Sequence, residues 1–352
     1  MTIEGMKNPL PVVQKPVIDN LAFVLQWAAD STKEEQNRLL SPVRERIRDA
    51  IAQGVCNRAY PNGNRYIENL FIPFEPKRSA FVQIGAVQPE RQNGGIRISV
   101  NPAKFRDGDS EYLHDVIAEL IGAKQRKLWS NPLLNRIDLA VDVLYANLDG
   151  MLVSYSNSQR RTIFGKRING CARIETYNFG SVSSDYLSAV YDKRVEQVDA
   201  AIRSLAKNSD KSENLRENAI RQVHRNRDAP DMVRVEIRGR KMRGLRLWEL
   251  ESLPNRFTRF HFADLSQGEA DLHRLVKQSF LAMCRQDGVR AALAEFKGTR
   301  HEKEVRAFWQ SRQALWWQPD ALWADACLAL RGSGLFPHNA FNKPKTINLA
   351  AI

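Results

Sequence analysis

Three tyrosines, Tyr177, Tyr186 and Tyr191, fall in one short stretch, and Lys193 follows the last of them by two positions. A phenol oxygen can attack a phosphodiester and hold one end of the cut strand covalently. A neighbouring ammonium steadies the charge that develops on the phosphate. Tyr191 and Tyr177 are therefore candidate nucleophiles, and Lys193 is the candidate phosphate partner. Tyrosine is also an ordinary strand former, so no single one of these residues settles its own role.

Phosphodiester cleavage by tyrosine commonly uses a divalent cation, Mg2+ or Mn2+, and such ions take oxygen ligands. Asp138, Asp142, Glu175, Glu196 and Glu236 are the candidate carboxylates. Asp138 and Asp142 share one face of a regular strand but stand about 13 Å apart, too far to serve one ion without a bulge. Arg234, Glu236 and Arg238 alternate onto one face of another strand. Cross-strand ion pairing accounts for that pattern as well as metal and phosphate binding does. Arg136, Arg234, Arg238, Arg240 and Lys241 are the candidate DNA contacts, the last four within a basic stretch from Arg221 to Arg246 that suits any phosphate backbone.

Other chemistries find less support. Cys56, Cys171, Cys284 and Cys327 are scattered without Cys-x-x-Cys spacing or matched histidines, which argues for buried thiols over zinc or a disulfide framework. Of 352 residues, 53 are basic and 40 acidic, a net charge of +13 that favours a polyanionic partner. No apolar run approaches the roughly 20 residues of a membrane span, and no secretory core opens the chain, so a cytoplasmic protein is expected.

The elements that must position these residues read as α+β: a mainly antiparallel sheet domain with helices on one face, followed by a helical C-terminal region. Residues 1–16 read as a flexible arm, 17–265 as the catalytic domain, 266–340 as a Trp-rich helical region and 341–352 as a tail. Thr32 to Gln53 reads as helical, with Pro42 marking a break or a second start. Asp109 to Lys127 reads as an amphipathic helix capped by Ser110, with Tyr112, Val116, Leu120 and Ile121 on one face. Leu133 to Leu144 is the clearest strand. Ala172–Phe179 and Leu187–Asp192 form a hairpin around the Gly180–Ser184 turn.

Taken in order, these motifs resemble the Rep_trans family of rolling-circle replication initiators. The residues that carry the resemblance are Val17-Ile-Asp19, Arg136-Ile-Asp-Leu-Ala-Val-Asp142, Tyr177-x-x-Gly180-Ser181, Ser184-Asp185, Tyr191-Asp-Lys-x-x-Glu196 and Arg234-Val-Glu236. The chain departs from the family pattern at Ala189, where an arginine is common, and at Val100-Asn-Pro-Ala-Lys104, which replaces a glycine-rich loop. The resemblance implies an initiator that binds and nicks a double-strand origin through Tyr191, leaving a 5′-phosphotyrosyl link and a 3′-hydroxyl primer. It implies Asp138 and Glu236 on the metal, joined by Asp142 or Glu175, and Arg234 and Arg238 beside Lys193 on phosphates. Origin DNA, double-stranded and melted, and a host helicase are the implied partners, and a homodimer is compatible with it. A tyrosine recombinase is excluded because no tyrosine follows His224-Arg-Asn-Arg227. A non-catalytic DNA-binding regulator is the alternative, with Gln278–Gly288 as its helix–turn element.

Overall fold

A computed structural model describes residues 9–343, apart from residues 29–30, 61–62, 64, 76–77, 93–94, 123–125, 159, 169–170, 182, 208–212, 243 and 269. The fold is α+β, with a largely antiparallel sheet, helices, and a helical C-terminal region, as the periodicity implies. The strands are β1 (Val12–Val13), β2 (Val17–Leu25), β3 (Asn57–Arg58), β4 (Tyr66–Glu75), β5 (Arg78–Ala86), β6 (Ile96–Val100) and β7 (Leu133–Leu144). They continue as β8 (Met151–Tyr155), β9 (Arg161–Ile168), β10 (Cys171–Phe179), β11 (Tyr186–Asp192), β12 (Met232–Gly239), β13 (Leu245–Arg246) and β14 (Phe260–Asp264). The helices are α1 (Lys33–Ala52), α2 (Pro89–Gln92), α3 (Asp109–Ile121), α4 (Arg126–Trp129) and α5 (Lys193–Lys207). After them come α6 (Glu213–Asp228), α7 (Arg274–Gln286), α8 (Val289–Glu295), α9 (Glu302–Ser311) and α10 (Pro319–Arg331).

Two compact units result, each assembled from separated segments. One takes 17–139, 238–254 and 324–352, and the other takes 1–16, 140–237 and 255–323. The first holds strands in the order β3-β4-β5-β6-β2-β7, with β13 also against β7. α1 covers it through one buried stripe, Leu40, Val43, Ile47 and Ala50. That stripe runs straight through Pro42, so the break expected there does not occur. The lost hydrogen bond and ring clash, about 3 kcal/mol, are outweighed by continuous burial on either side. In α3 the cap is Gly108, not Ser110, whose buried hydroxyl instead donates to the Ser333 carbonyl at 3.0 Å. Val116, Leu120 and Ile121 are buried, while Tyr112 stands off that stripe at 40% exposure.

The second unit holds β7-β12-β11-β10-β9 and, apart from these, the pair β14-β8. The end of the expected arm is held here. Val12 and Val13 pair with Leu144 and Val143, and the Gln14 N–H donates to the Asp142 carbonyl at 2.8 Å. Two β-branched valines at a sheet edge supply the pairing that a featureless arm lacks. The helices α7, α8 and α9 bury Phe280, Cys284, Val289, Ala292, Val305, Phe308 and Trp309 in one cluster with Leu152 and Ala263 of the β8/β14 pair. The C-terminal helices thus complete the core of a unit whose sheet lies much earlier in the chain. Cys56, Cys284 and Cys327 are buried free thiols, as expected, and the side chain of Cys171 lies outside the described residues. The expected tail also lies outside them beyond residue 343.

Candidate active site

The β10–β11 hairpin decides where each tyrosine points. Thr176 pairs with Tyr191, Tyr177 with Val190, Asn178 with Ala189 and Phe179 with Ser188. Directly opposed residues share a face, and successive residues alternate. Tyr177 and Tyr191 therefore project from opposite faces of the hairpin.

Tyr177 is 1% exposed and lies parallel to Phe179, with ring centroids 6.3 Å apart. Burial pushes its phenol up to about 12, against a weaker opposing pull from Arg285 and Arg161. It is a packed core residue whose oxygen is held in its neutral form. Tyr191 is only half-buried and is the next-to-last residue of its strand.

The residues after Tyr191 turn strand into helix. The Asp192 carboxylate accepts from the Val195 N–H at 2.9 Å, which caps the first turn of α5. Arg173, from β10, brings a guanidinium nitrogen to 3.5 Å of the same carboxylate. Lys193 opens the helix, with its ammonium 5.9 Å from the Tyr191 ring centroid. That ammonium also sits 2.6 Å from Glu196 Oε2, one turn on. The motif Tyr-Asp-Lys-x-x-Glu is thus a strand end, a cap and a first helical turn, which brings a phenol and an ammonium together. Arg173 was not legible as a neighbour of this motif, because only the hairpin register places it there.

The expected metal ligands lie differently. Asp138 is buried, and Arg136 grips it through a fork: Nε reaches both carboxylate oxygens at 3.0 Å and Nη2 reaches Oδ2 at 2.5 Å. Burial pushes the Asp138 carboxyl up from the ordinary range, while the guanidiniums of Arg136 and Arg238 pull it down. Asp142 is gripped likewise by Arg234, with Nε to Oδ1 at 2.6 Å and Nη2 to Oδ2 at 2.8 Å. Glu236 is buried and Glu175 is half-buried. Among the described residues no three His, Cys, Asp or Glu side chains converge in a way that could hold an ion. The donor set therefore does not fit a ready divalent-cation site, because two of its four carboxylates already have bidentate cationic partners. Of the remaining candidate DNA contacts, Arg240 is half-buried and Lys241 is exposed.

No protein-family model matches the sequence, and no curated protein matches it. Among solved structures the chain is similar to a rolling circle replication initiator protein from Geobacillus stearothermophilus. The identity is 13%, the alignment covers 89% of this chain and 97% of that one, and the TM-score is 0.35. A likeness that slight carries no residue-by-residue correspondence. Among the described residues no helix is long and apolar enough to cross a membrane.

Proposed function

We propose that this protein initiates rolling-circle replication by nicking origin DNA with Tyr191. The observation that carries the reading is the half-buried Tyr191 at the end of β11 with the Lys193 ammonium beside its ring. The sequence resemblance supplies the substrate, a double-strand origin with a melted nick site. In the reaction, the Tyr191 oxygen forms a bond to the scissile phosphorus and the bond from phosphorus to the 3′-oxygen breaks. The phenolic proton leaves to a base, and the departing 3′-oxygen gains a proton. The products are a 5′-phosphotyrosyl link and a 3′-hydroxyl. Lys193 would stabilise the charge on the phosphate, a contribution of the preorganised electrostatic kind.

Arg136 and Arg234 are tied to Asp138 and Asp142. Those pairs favour a structural role for the four residues in the folded protein. Origin DNA and a host helicase are the partners this reading implies, a homodimer is compatible with it, and its setting is the cytoplasm. Mass spectrometry of the adduct trapped with a nick-site oligonucleotide tests it. An adduct on a Tyr191 peptide is the expected result, and stable binding without any covalent product overturns the enzymatic reading.

The second reading, a DNA-binding regulator, has one observation in its favour. α7 and α8 are joined through only Asp287 and Gly288, with Gly288 at φ 95°. A sharp helix–turn of this kind suits a groove reader. Origin-specific retention in gel shift with no cleavage would favour it.

A further inference from the structure

The turn between β10 and β11 lines a cavity that the chemistry at Tyr191 does not use. It encloses about 560 Å3, within the range of small-ligand pockets, roughly 300–1,000 Å3. Tyr186, at the start of β11, lines it, and five strand residues place that end about 17 Å from Tyr191. The cavity is therefore distinct from the proposed nucleophile.

Its chemistry comes in three kinds. Arg160 and Arg259 line it, and among the described residues neither side chain makes an ion pair or hydrogen bond. One carboxylate, Asp185, also lines it, so the wall keeps a cationic excess. The second kind is a hydroxyl cluster. Ser181 Oγ lies 2.9 Å from both Ser183 Oγ and Ser184 Oγ, and Ser184 Oγ accepts from the Ser181 N–H at 3.1 Å. Hydroxyls rotate, so this cluster can redirect its protons to an incoming acceptor. The third kind is aromatic. The rings of Tyr155 and Phe179 stack with centroids 5.0 Å apart and planes 15° from parallel. Ser188 Oγ donates to the Tyr155 hydroxyl at 3.1 Å and fixes that ring in place. The guanidinium of Arg256 lies over the Tyr186 ring at 4.2 Å, and its Nε is buried without a hydrogen-bond partner.

Unpaired guanidiniums and a cluster of rotatable hydroxyls suit a phosphate, and the half-buried rings of Tyr155 and Tyr186 suit a base. We infer that this cavity binds one nucleoside phosphate unit. The chemistry stands without Tyr191. Only the assignment of its source, an unpaired nucleotide of a DNA strand, rests on the nicking function.

The full-length chain tests this with two probes, the single-stranded oligonucleotide (dT)8 and free dTMP, neither of which requires cleavage. Binding is measured by fluorescence anisotropy for (dT)8, with dTMP as competitor, and by hydrogen exchange at residues 154–158 and 180–186. The wild-type chain is expected to gain protection at both segments with (dT)8. Arg259→Ala is expected to weaken (dT)8 about tenfold, the scale of one charge-assisted contact. Arg203→Ala, an exposed arginine on α5, is the control for general charge loss and should change affinity less than twofold. Protection by dTMP alone, with no competition against (dT)8, keeps the nucleotide site and overturns its DNA source. Wild-type affinity in Arg160→Ala/Arg259→Ala for both probes overturns the inference, as does an absence of protection at both segments. Tyr191→Phe should bind both probes normally, so failure of the nicking chemistry is read separately.

Discussion

Tyr191 stands across the hairpin from Thr176, whereas Tyr177 stands across from Val190, so the two phenols leave opposite faces of the same pair of strands. One of them is 1% exposed and stacked in the core, and the other is half-buried beside an ammonium. Tyr191→Phe is expected to abolish origin nicking and leave DNA affinity within about twofold, since the ring remains and only the attacking oxygen goes. Nicking of supercoiled origin DNA at the wild-type rate would remove Tyr191 from the mechanism.

Asp192 separates capping from charge. Asn and Asp cap helices about equally well, whereas Ala costs about 1 kcal/mol. If Asp192 acts by fixing the start of α5, Asp192→Asn should keep stability and most of the nicking rate. Asp192→Ala should lose both. Equal losses in the two variants would show that the negative charge facing Arg173 matters more than the cap.

The arginine forks predict how the carboxylates answer to mutation. Asp138→Asn leaves Arg136 without its anionic partner and is expected to destabilise the fold by about 3 kcal/mol, the scale of a broken buried pair. Urea unfolding measures this. Nicking assayed with EDTA and then with added Mg2+ or Mn2+ supplies the other readout. Unchanged stability, with cleavage lost only at limiting metal, would return Asp138 to the role of a ligand.

The buried phenol of Tyr177 makes stability depend on alkaline pH. Its folded value of about 12 lies above the ordinary 10.0, so the folded state holds that proton more tightly than the unfolded chain. The stabilisation is fully present below pH 10 and is lost as pH rises towards 12, amounting to about 2–3 kcal/mol in all. Urea unfolding at pH 8 and pH 11 should show a smaller drop for Tyr177→Phe than for the wild type. Identical drops would place the titration on other groups.

Removing the chain beyond residue 265 is expected to unfold the second unit. Leu152 and Ala263 would lose Phe280, Phe308 and Trp309 from their shared cluster. Deleting even one buried phenylalanine from such a core costs about 3–5 kcal/mol. A cooperative thermal transition and native near-UV circular dichroism in residues 1–265 would show that the helices are dispensable to the core.

The α+β class, the hairpin and the strand Leu133–Leu144 were all legible in the sequence, because alternation and turn chemistry are local properties. So was the motif Tyr191-Asp-Lys. Its local part, a capping aspartate before a helical turn, needs only neighbours along the chain. What the sequence left open is which partners meet across strands. Asp138 and Asp142 read as candidate ligands that one ion could not share, whereas the structure holds them in the forks of Arg136 and Arg234, and Arg234 lies far along the chain from Asp142. The faces of Tyr177 and Tyr191 follow from pairing register, which one residue of slip would reverse. Pro42 looked like a break because its cost is local, whereas the burial that overrides it is tertiary. The division into units escaped a linear reading for the same reason: the aromatic helices find their core on β8 and β14, and contact in space, not order in the chain, selects them.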